Sequence, residues 1–204
     1  MFIAKWNKSV ILTYIGMFFS ITGMIICLTT GNLKQALSCL VVSGICDMFD
    51  GYVARKCKRN KEEIEFGIQL DSLVDTLSFV AFPIIIMIKM GLTKWYHLIP
   101  LTMFGIGGIA RLAHFNITTN DDGKPVPFYT GLPVTAIAMT LPLLYLILLI
   151  KMPELLYMTI LTIFPALIAF LNIVKIHVPK PHGIAYAVFA IAAIIVLVLF
   201  LGIL

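Results

Sequence analysis

Long apolar segments alternate with short polar connections along nearly the whole chain. A helix needs about 20 residues to cross a hydrocarbon core that is roughly 30 Å thick. Seven segments qualify, over residues 10–30, 33–55, 67–90, 95–115, 132–150, 155–174 and 183–203. This pattern predicts an all-α integral membrane protein in which residues 1–204 form a single transmembrane domain.

The composition strengthens this prediction. Of the 204 residues, 60% are hydrophobic and only 12% are charged, and the mean hydropathy is +1.02. These values lie outside the range of soluble globular domains. The net charge of +5 could point to nucleic acid, but the basic residues are scattered between apolar spans. We therefore expect membrane lipids, and no nucleic acid, as partners.

The basic residues predict the orientation of the chain in the cell membrane. If the N-terminus is cytoplasmic, eleven of the fifteen lysines and arginines face inward. The four that face outward are Lys34, Lys89, Lys94 and Lys151. This excess follows the positive-inside rule.

The N-terminal segment 1–9 mixes aromatic and basic residues and is expected to lie at the membrane surface. The first apolar run has no small-residue cleavage site after it and is expected to be retained. The sequence GIGGIA at 105–110 lies inside a predicted span with no strand before it. It is therefore predicted to let helices approach closely rather than to bind phosphate.

Four aspartates lie within predicted spans, where charge is unfavourable. They are Asp47, Asp50, Asp71 and Asp75. A charge at the bilayer centre costs at least roughly 2.5 to 3.5 kcal/mol, so these residues are candidates for function.

Helical periodicity places the four acids on two faces that can meet. With about 100° of rotation per residue, one face of the second span carries Asp47, Asp50, Gly51, Ala54 and Arg55. One face of the third span carries Gly67, Asp71 and Asp75. A short connection makes these spans antiparallel neighbours, so the acidic faces are expected to converge near the cytoplasmic end of the pair.

Carboxylates brought together repel one another unless a cation neutralises them. Oxygen ligands without cysteine or histidine point to Mg²⁺ or Mn²⁺, and two such ions sharing carboxylates are suited to phosphoryl transfer. The glycines leave room for a nucleotide, and Arg55 offers a planar fork for phosphate oxygens. These features predict a diphosphate substrate held by metal at the membrane surface. A divalent cation transporter is the alternative, because acids within spans often mark ion routes.

The same residues resemble the signature of the CDP-alcohol phosphotransferase family, D-x2-D-G-x2-A-R followed by G-x3-D-x3-D. Every signature position is filled, and the spacer KCKRNKEEIEF has eleven residues, more than is usual in the family. We expect this spacer to form a surface loop near anionic headgroups. The resemblance implies a helical bundle with a six-helix core, to which the last apolar run adds a C-terminal span. It also implies a homodimer.

The resemblance further implies a role for each signature residue. The ligands of two metal ions would be Asp47, Asp50, Asp71 and Asp75. The residues that bind the CDP moiety would be Asp50, Gly51, Ala54, Arg55 and Gly67. Asp75 would also be the catalytic base for the acceptor hydroxyl. The first span lacks the Pro-Asn pair that is frequent in the family, and Thr13 is its candidate for facing the nucleotide.

Two downstream segments bear on the acceptor alcohol. GIARLAHFN (108–116) and FYTGLPVTAIA (128–138) resemble the RLA-x-FN and GLP segments of the phosphatidylserine synthases, a branch of the family. This resemblance implies CDP-diacylglycerol and L-serine as substrates.

The acceptor is predicted to contact Arg111 and Asn116, at the cytoplasmic end of the fourth span, and Ser78, one turn beyond Asp75. Arg111 suits the serine carboxylate. An acceptor that already carries a phosphate would call for several basic residues, and this region has only Arg111 and Lys124. Glycerol phosphate, inositol and inositol phosphate are the alternative acceptors.

Overall fold

The computed structural model describes residues 7–120, 128–179 and 184–202. The α-helices in these residues are α1 (Ile11–Thr29), α2 (Leu33–Lys56), α3 (Lys61–Asp75), α4 (Phe82–Met90), α5 (Leu98–Asn120), α6 (Ile137–Leu148), α7 (Glu154–Ile173) and α8 (Ile184–Gly202). A π-helical segment, Thr76–Ala81, joins α3 to α4 without a break. Two short antiparallel strands, β1 (Phe128–Thr130) and β2 (His177–Pro179), connect the ends of two loops.

Each of the seven predicted segments coincides with a helix, so the prediction of an all-α membrane protein is confirmed. Within the described residues, five helical stretches are long and apolar enough to cross a membrane, namely Lys8–Thr29, Leu33–Lys56, Lys61–Met90, Trp95–Ile117 and Glu154–Ile173. Val134–Leu148 and Val188–Phe200 are shorter apolar helices. Residues 1–6 of the predicted surface segment lie outside the described residues.

The prediction of a loop over the whole spacer is wrong, because α3 begins at Lys61, six residues before Gly67. Asn60 starts the helix with a capping box. Asn60 Oδ1 accepts from the Glu63 backbone N–H, and Glu63 Oε2 accepts from the Asn60 N–H, each at 2.8 Å. This pairing satisfies two backbone donors at the helix start. Only residues 57–60 connect α2 to α3.

Small residues allow α1 and α2 to pack closely. The buried face of α1 repeats at helical spacing and consists of Thr13, Gly16, Ser20, Gly23 and Cys27. A Cβ added at Gly23 would lie 2.7 Å from Cys39 Cβ and 2.4 Å from Phe82 Cζ. A larger side chain at Gly23 would push the helices apart, and small residues are common where membrane helices pack closely.

Close packing also explains the GIGGIA segment of α5, as predicted. A Cβ at Gly107 would lie 3.0 Å from the Ala169 carbonyl oxygen of α7. A Cβ at Gly108 would lie 2.8 Å from Val80 Cγ2 in the π-helical segment. The two glycines therefore bring α5 against both neighbours.

Helices α5 and α7 run in the same direction. The Tyr157 hydroxyl, near the start of α7, donates to the Met90 carbonyl at 3.0 Å. Met90 ends α4, and only a short connection separates it from the start of α5. Since Ala169 packs against Gly107 further along both helices, their C-terminal turns lie at the same end of the bundle.

The surface of the bundle is apolar and several polar side chains lie inside. Phe18, Leu73 and Leu155 are 64%, 70% and 81% exposed, whereas Asp50, Asp75 and Arg111 are buried. This inversion of the usual pattern suits a lipid environment, and it leaves the buried polar groups to be explained by function.

Candidate active site

Three aspartates from α2 and α3 form a cluster, which confirms that the two acidic faces converge. Carboxylate oxygens of Asp47, Asp71 and Asp75 all lie within 4.8 Å of one another. Asp75 is buried, and the other two are partly buried. The capping box at Asn60 fixes the start of α3, and the short 57–60 connection reverses the chain so that carboxylates of α3 lie close to Asp47 of α2.

Asp50 lies beside this cluster and is held by α1. The Thr13 hydroxyl donates to Asp50 Oδ2 at 3.0 Å, and the Asp50 carboxyl contacts that of Asp71. Thr13, the candidate of the first span for facing the nucleotide, is thus hydrogen-bonded to a carboxylate. Asp47, Asp50, Asp75 and Thr13 line one small cavity together with Gly16, Ser43, Val74 and Phe79.

The donor set fits a divalent metal. The cluster offers only carboxylate oxygens, the ligands preferred by hard cations. Carboxylates this close repel one another unless a bound cation or a proton offsets their charge, so the cluster could hold a metal ion.

A buried group of hydroxyls lies one helical turn deeper. The Ser20 hydroxyl is 2.9 Å from the Ser43 hydroxyl and 2.7 Å from the Ser78 hydroxyl. These serines belong to α1, α2 and the π-helical segment, so they link the three elements beneath the acidic cluster. Ser78 is fully buried, and its hydroxyl is engaged in this group.

The π-helical segment begins directly after Asp75. Within it, backbone N–H groups donate to the carbonyl five residues earlier rather than four, as in the bond from Phe82 N–H to the Leu77 carbonyl. Such wide turns are frequent at functional sites. Here the wide turn carries Ser78 and Phe79 into the core, beneath the carboxylates.

The signature glycines lie beside arginine side chains. Arg55 Nη1 would be 3.6 Å from a Cβ added at Gly51, and Arg59 Nη1 would be 3.8 Å from one at Gly67. Ala54, which lies between these glycines in the sequence, is partly buried. Arg59 was not predicted, because only the folded spacer brings it back over Gly67.

Two of the three predicted acceptor residues, Arg111 and Asn116, lie on α5, whereas Ser78 belongs to the buried group of hydroxyls. Asn116 Nδ2 donates to Ser72 Oγ at 2.8 Å. Ser72 directly follows Asp71 in the sequence. Arg111 is buried, and its guanidinium lies 5.5 Å from the centre of the Phe115 ring. The Asn116–Ser72 and Gly108–Val80 contacts define an antiparallel register that puts Arg111 level with residue 77, two residues beyond Asp75. Lys124 lies outside the described residues.

Sequence reasoning missed Asn172, which lies in the last turn of α7 and is buried. The predicted GLP segment contacts it. Gly131 has φ +81°, and a Cβ there would lie 2.6 Å from the Asn172 carbonyl oxygen. The next residue, Leu132, donates its N–H to the Leu171 carbonyl at 2.9 Å. The glycine of GLP is thus required by backbone conformation and by close approach.

The fold and the site define a multi-pass membrane protein with a carboxylate cluster that could hold a metal ion. Residues 6–166 match the model of the CDP-alcohol phosphatidyltransferase family. The chain belongs to this family. The match includes α1 to α6 and much of α7, and it leaves α8 outside.

Curated relatives show moderate similarity. The chain is 33% identical over 138 residues to CDP-diacylglycerol–serine O-phosphatidyltransferase of Saccharomyces cerevisiae, covering 63% of this chain and 49% of that protein. It is 32% identical over 117 residues to archaetidylserine synthase of Methanothermobacter thermautotrophicus, covering 57% and 48%. It is 33% identical over 128 residues to CDP-diacylglycerol–serine O-phosphatidyltransferase of Methanocaldococcus jannaschii, covering 63% and 56%. The chain spans about half the length of these relatives.

Proposed function

We propose that this protein transfers the phosphatidyl group of CDP-diacylglycerol to the hydroxyl of L-serine, giving phosphatidylserine and CMP. The observation that carries the proposal is the convergence of Asp47, Asp71 and Asp75 within 4.8 Å in a chain of this family. The names of the curated relatives support serine as the acceptor.

The proposed metal ligands are the cluster Asp47, Asp71 and Asp75, with Asp50 beside it. The chemistry that two Mg²⁺ or Mn²⁺ ions would supply there is neutralisation of the diphosphate and of the charge on the departing CMP. The proposed residues for the CDP moiety are Asp50, Gly51, Ala54, Arg55 and Gly67. The open space at Gly51 and Gly67, with a guanidinium beside each, supports this assignment.

The proposed acceptor residues are Arg111, Asn116 and Ser78. Arg111 is level with residue 77, and Asn116 is hydrogen-bonded to Ser72, the residue after Asp71. In the structure the Ser78 hydroxyl is bonded to Ser20, so contact with an acceptor would require that bond to rearrange.

The transfer would proceed as a displacement at phosphorus. Asp75 accepts the proton of the serine hydroxyl, and the serine oxygen forms a bond to the phosphorus that bears the diacylglycerol. The bond from that phosphorus to the oxygen of the CMP phosphate breaks, and CMP leaves with the bonding electrons. Arg55 holds the diphosphate during this step.

We also propose that the active site opens at the cytoplasmic face and that the protein forms a homodimer. The excess of basic residues on one side supports the orientation. The resemblance to the family supports the dimer.

The acceptor is tested by offering purified protein labelled CDP-diacylglycerol with L-serine, glycerol phosphate, inositol or inositol phosphate in parallel. We expect phosphatidylserine and stoichiometric CMP with serine alone. Product formed only with one of the other alcohols would refute the serine assignment. Divalent cation flux in liposomes without any release of CMP would instead support a transporter.

Replacing Thr13 with valine should lower kcat/KM roughly 10-fold, because it removes a buried hydrogen bond to the Asp50 carboxylate. The assay is CMP release at saturating metal. Thr22→Val is the matched control, since Thr22 is partly exposed on the same helix and its hydroxyl donates to the Phe18 carbonyl rather than to an aspartate. Equal activity of the two variants would show that Thr13 does not position Asp50.

A further inference from the structure

Asn172 is a buried polar residue that no step above uses. Its side chain is 3% exposed, and neither Oδ1 nor Nδ2 has a hydrogen-bond partner in the described part of the chain. Buried polar groups are nearly always bonded, and an unpartnered one requires an explanation. A residue of this kind is expected where a polar ligand completes its bonds.

Asn172 lies at the level of Arg111, on the buried face of α7. That face also carries Leu161, Pro165 and Ile168. Gly107 of α5 packs against Ala169 of α7, and the two helices are parallel. One turn further along each helix are Arg111 and Asn172, so both lie in the same layer of the bundle.

This layer is also level with the catalytic end of α3. The contacts Gly108–Val80 and Asn116–Ser72 set α5 antiparallel to α3, which puts Arg111 level with residue 77, two residues beyond Asp75. The GLP turn then fixes the end of α7, through the Leu132 bond to Leu171 and the close contact of Gly131 with the Asn172 carbonyl. The backbone of Asn172 is therefore held in place from the loop side.

We propose that Asn172 is a specificity-determining residue of the acceptor site. The inference rests on the proposed transfer to serine. The carboxamide presents an N–H donor and a carbonyl acceptor together. This pair matches the carboxylate and the ammonium group of a free amino acid, with Arg111 supplying the positive charge for the carboxylate. A phosphorylated alcohol would offer Oδ1 only a neutral hydroxyl donor, and a hydrogen bond from a charged ammonium group is about twice as strong.

The test is Asn172→Leu, which keeps a similar volume and removes both polar atoms. We expect the KM for L-serine to rise about 10- to 100-fold, the effect of losing hydrogen bonds to a charged group. The KM for CDP-diacylglycerol should stay within about twofold. Thermal unfolding in detergent should be unchanged or shifted upward, because an unpartnered carboxamide has been replaced by an apolar side chain.

Ile173→Leu is the matched control, because Ile173 is adjacent and 60% exposed, and it should leave both KM values unchanged. If Asn172→Leu does not fold, Asn172→Ser is measured in the same assay, and the KM for L-serine is again expected to rise. An active wild type and a folded variant with an unaltered serine KM would refute this inference alone. A wild type that transfers nothing to serine would refute the proposed function, and the inference with it.

Discussion

Replacing Asp75 with asparagine is expected to lower the transfer rate about 10²- to 10⁴-fold, the contribution typical of a positioned base. The substitution keeps the shape of a side chain that is only 8% exposed, but an amide cannot accept the serine proton. The helix bundle should remain folded, since the variant removes one of several mutually repelling carboxylates. The measurement is CMP release with CDP-diacylglycerol and serine, alongside thermal unfolding in detergent.

Two comparisons make this result specific. Glu65→Gln also removes a carboxylate from α3, but Glu65 is exposed and pairs with Lys61 at 3.9 Å, so its activity should match the wild type. Raising the metal concentration should not rescue Asp75→Asn, because the proton acceptor is missing. Rescue by metal would assign Asp75 to metal binding only, and robust activity without rescue would remove it from both roles.

The parts of the fold and the site that the sequence predicts are those governed by local periodicity. Apolar runs gave the helices, and steps of three and four residues placed Asp47 and Asp71 on faces that do converge. The start of α3 was missed although Asn60 and Glu63 carry the spacing of a capping box. The charge of the spacer favours a hydrated loop, but its capping residues decide where the helix begins.

Contacts between residues distant in sequence could not be predicted. The bond from Thr13 to Asp50 joins residues 37 positions apart, and the Ser20–Ser78 bond joins residues 58 apart. Neither leaves a local pattern, because each depends on how small residues let the helices approach. The π-helical turn after Asp75 and the burial of Asn172 are likewise products of packing.

Removing divalent cations with a chelator is expected to lower transfer at least about 100-fold, because charge stabilisation at phosphorus is worth several kcal/mol. Adding back Mg²⁺ or Mn²⁺ should restore it.

Metal should also stabilise the fold against heat, by about 2.7 kcal/mol at a concentration 100 times the dissociation constant. This second readout needs no substrate, so it separates metal binding from catalysis. Asp47→Asn and Asp71→Asn should lose most of the stabilisation, since both residues belong to the three-carboxylate cluster. Glu154→Gln, an exposed acid at the start of α7, should keep it. Chelator-resistant transfer would contradict metal catalysis, whereas metal-dependent stability without metal-dependent transfer would make the cluster a structural cation site.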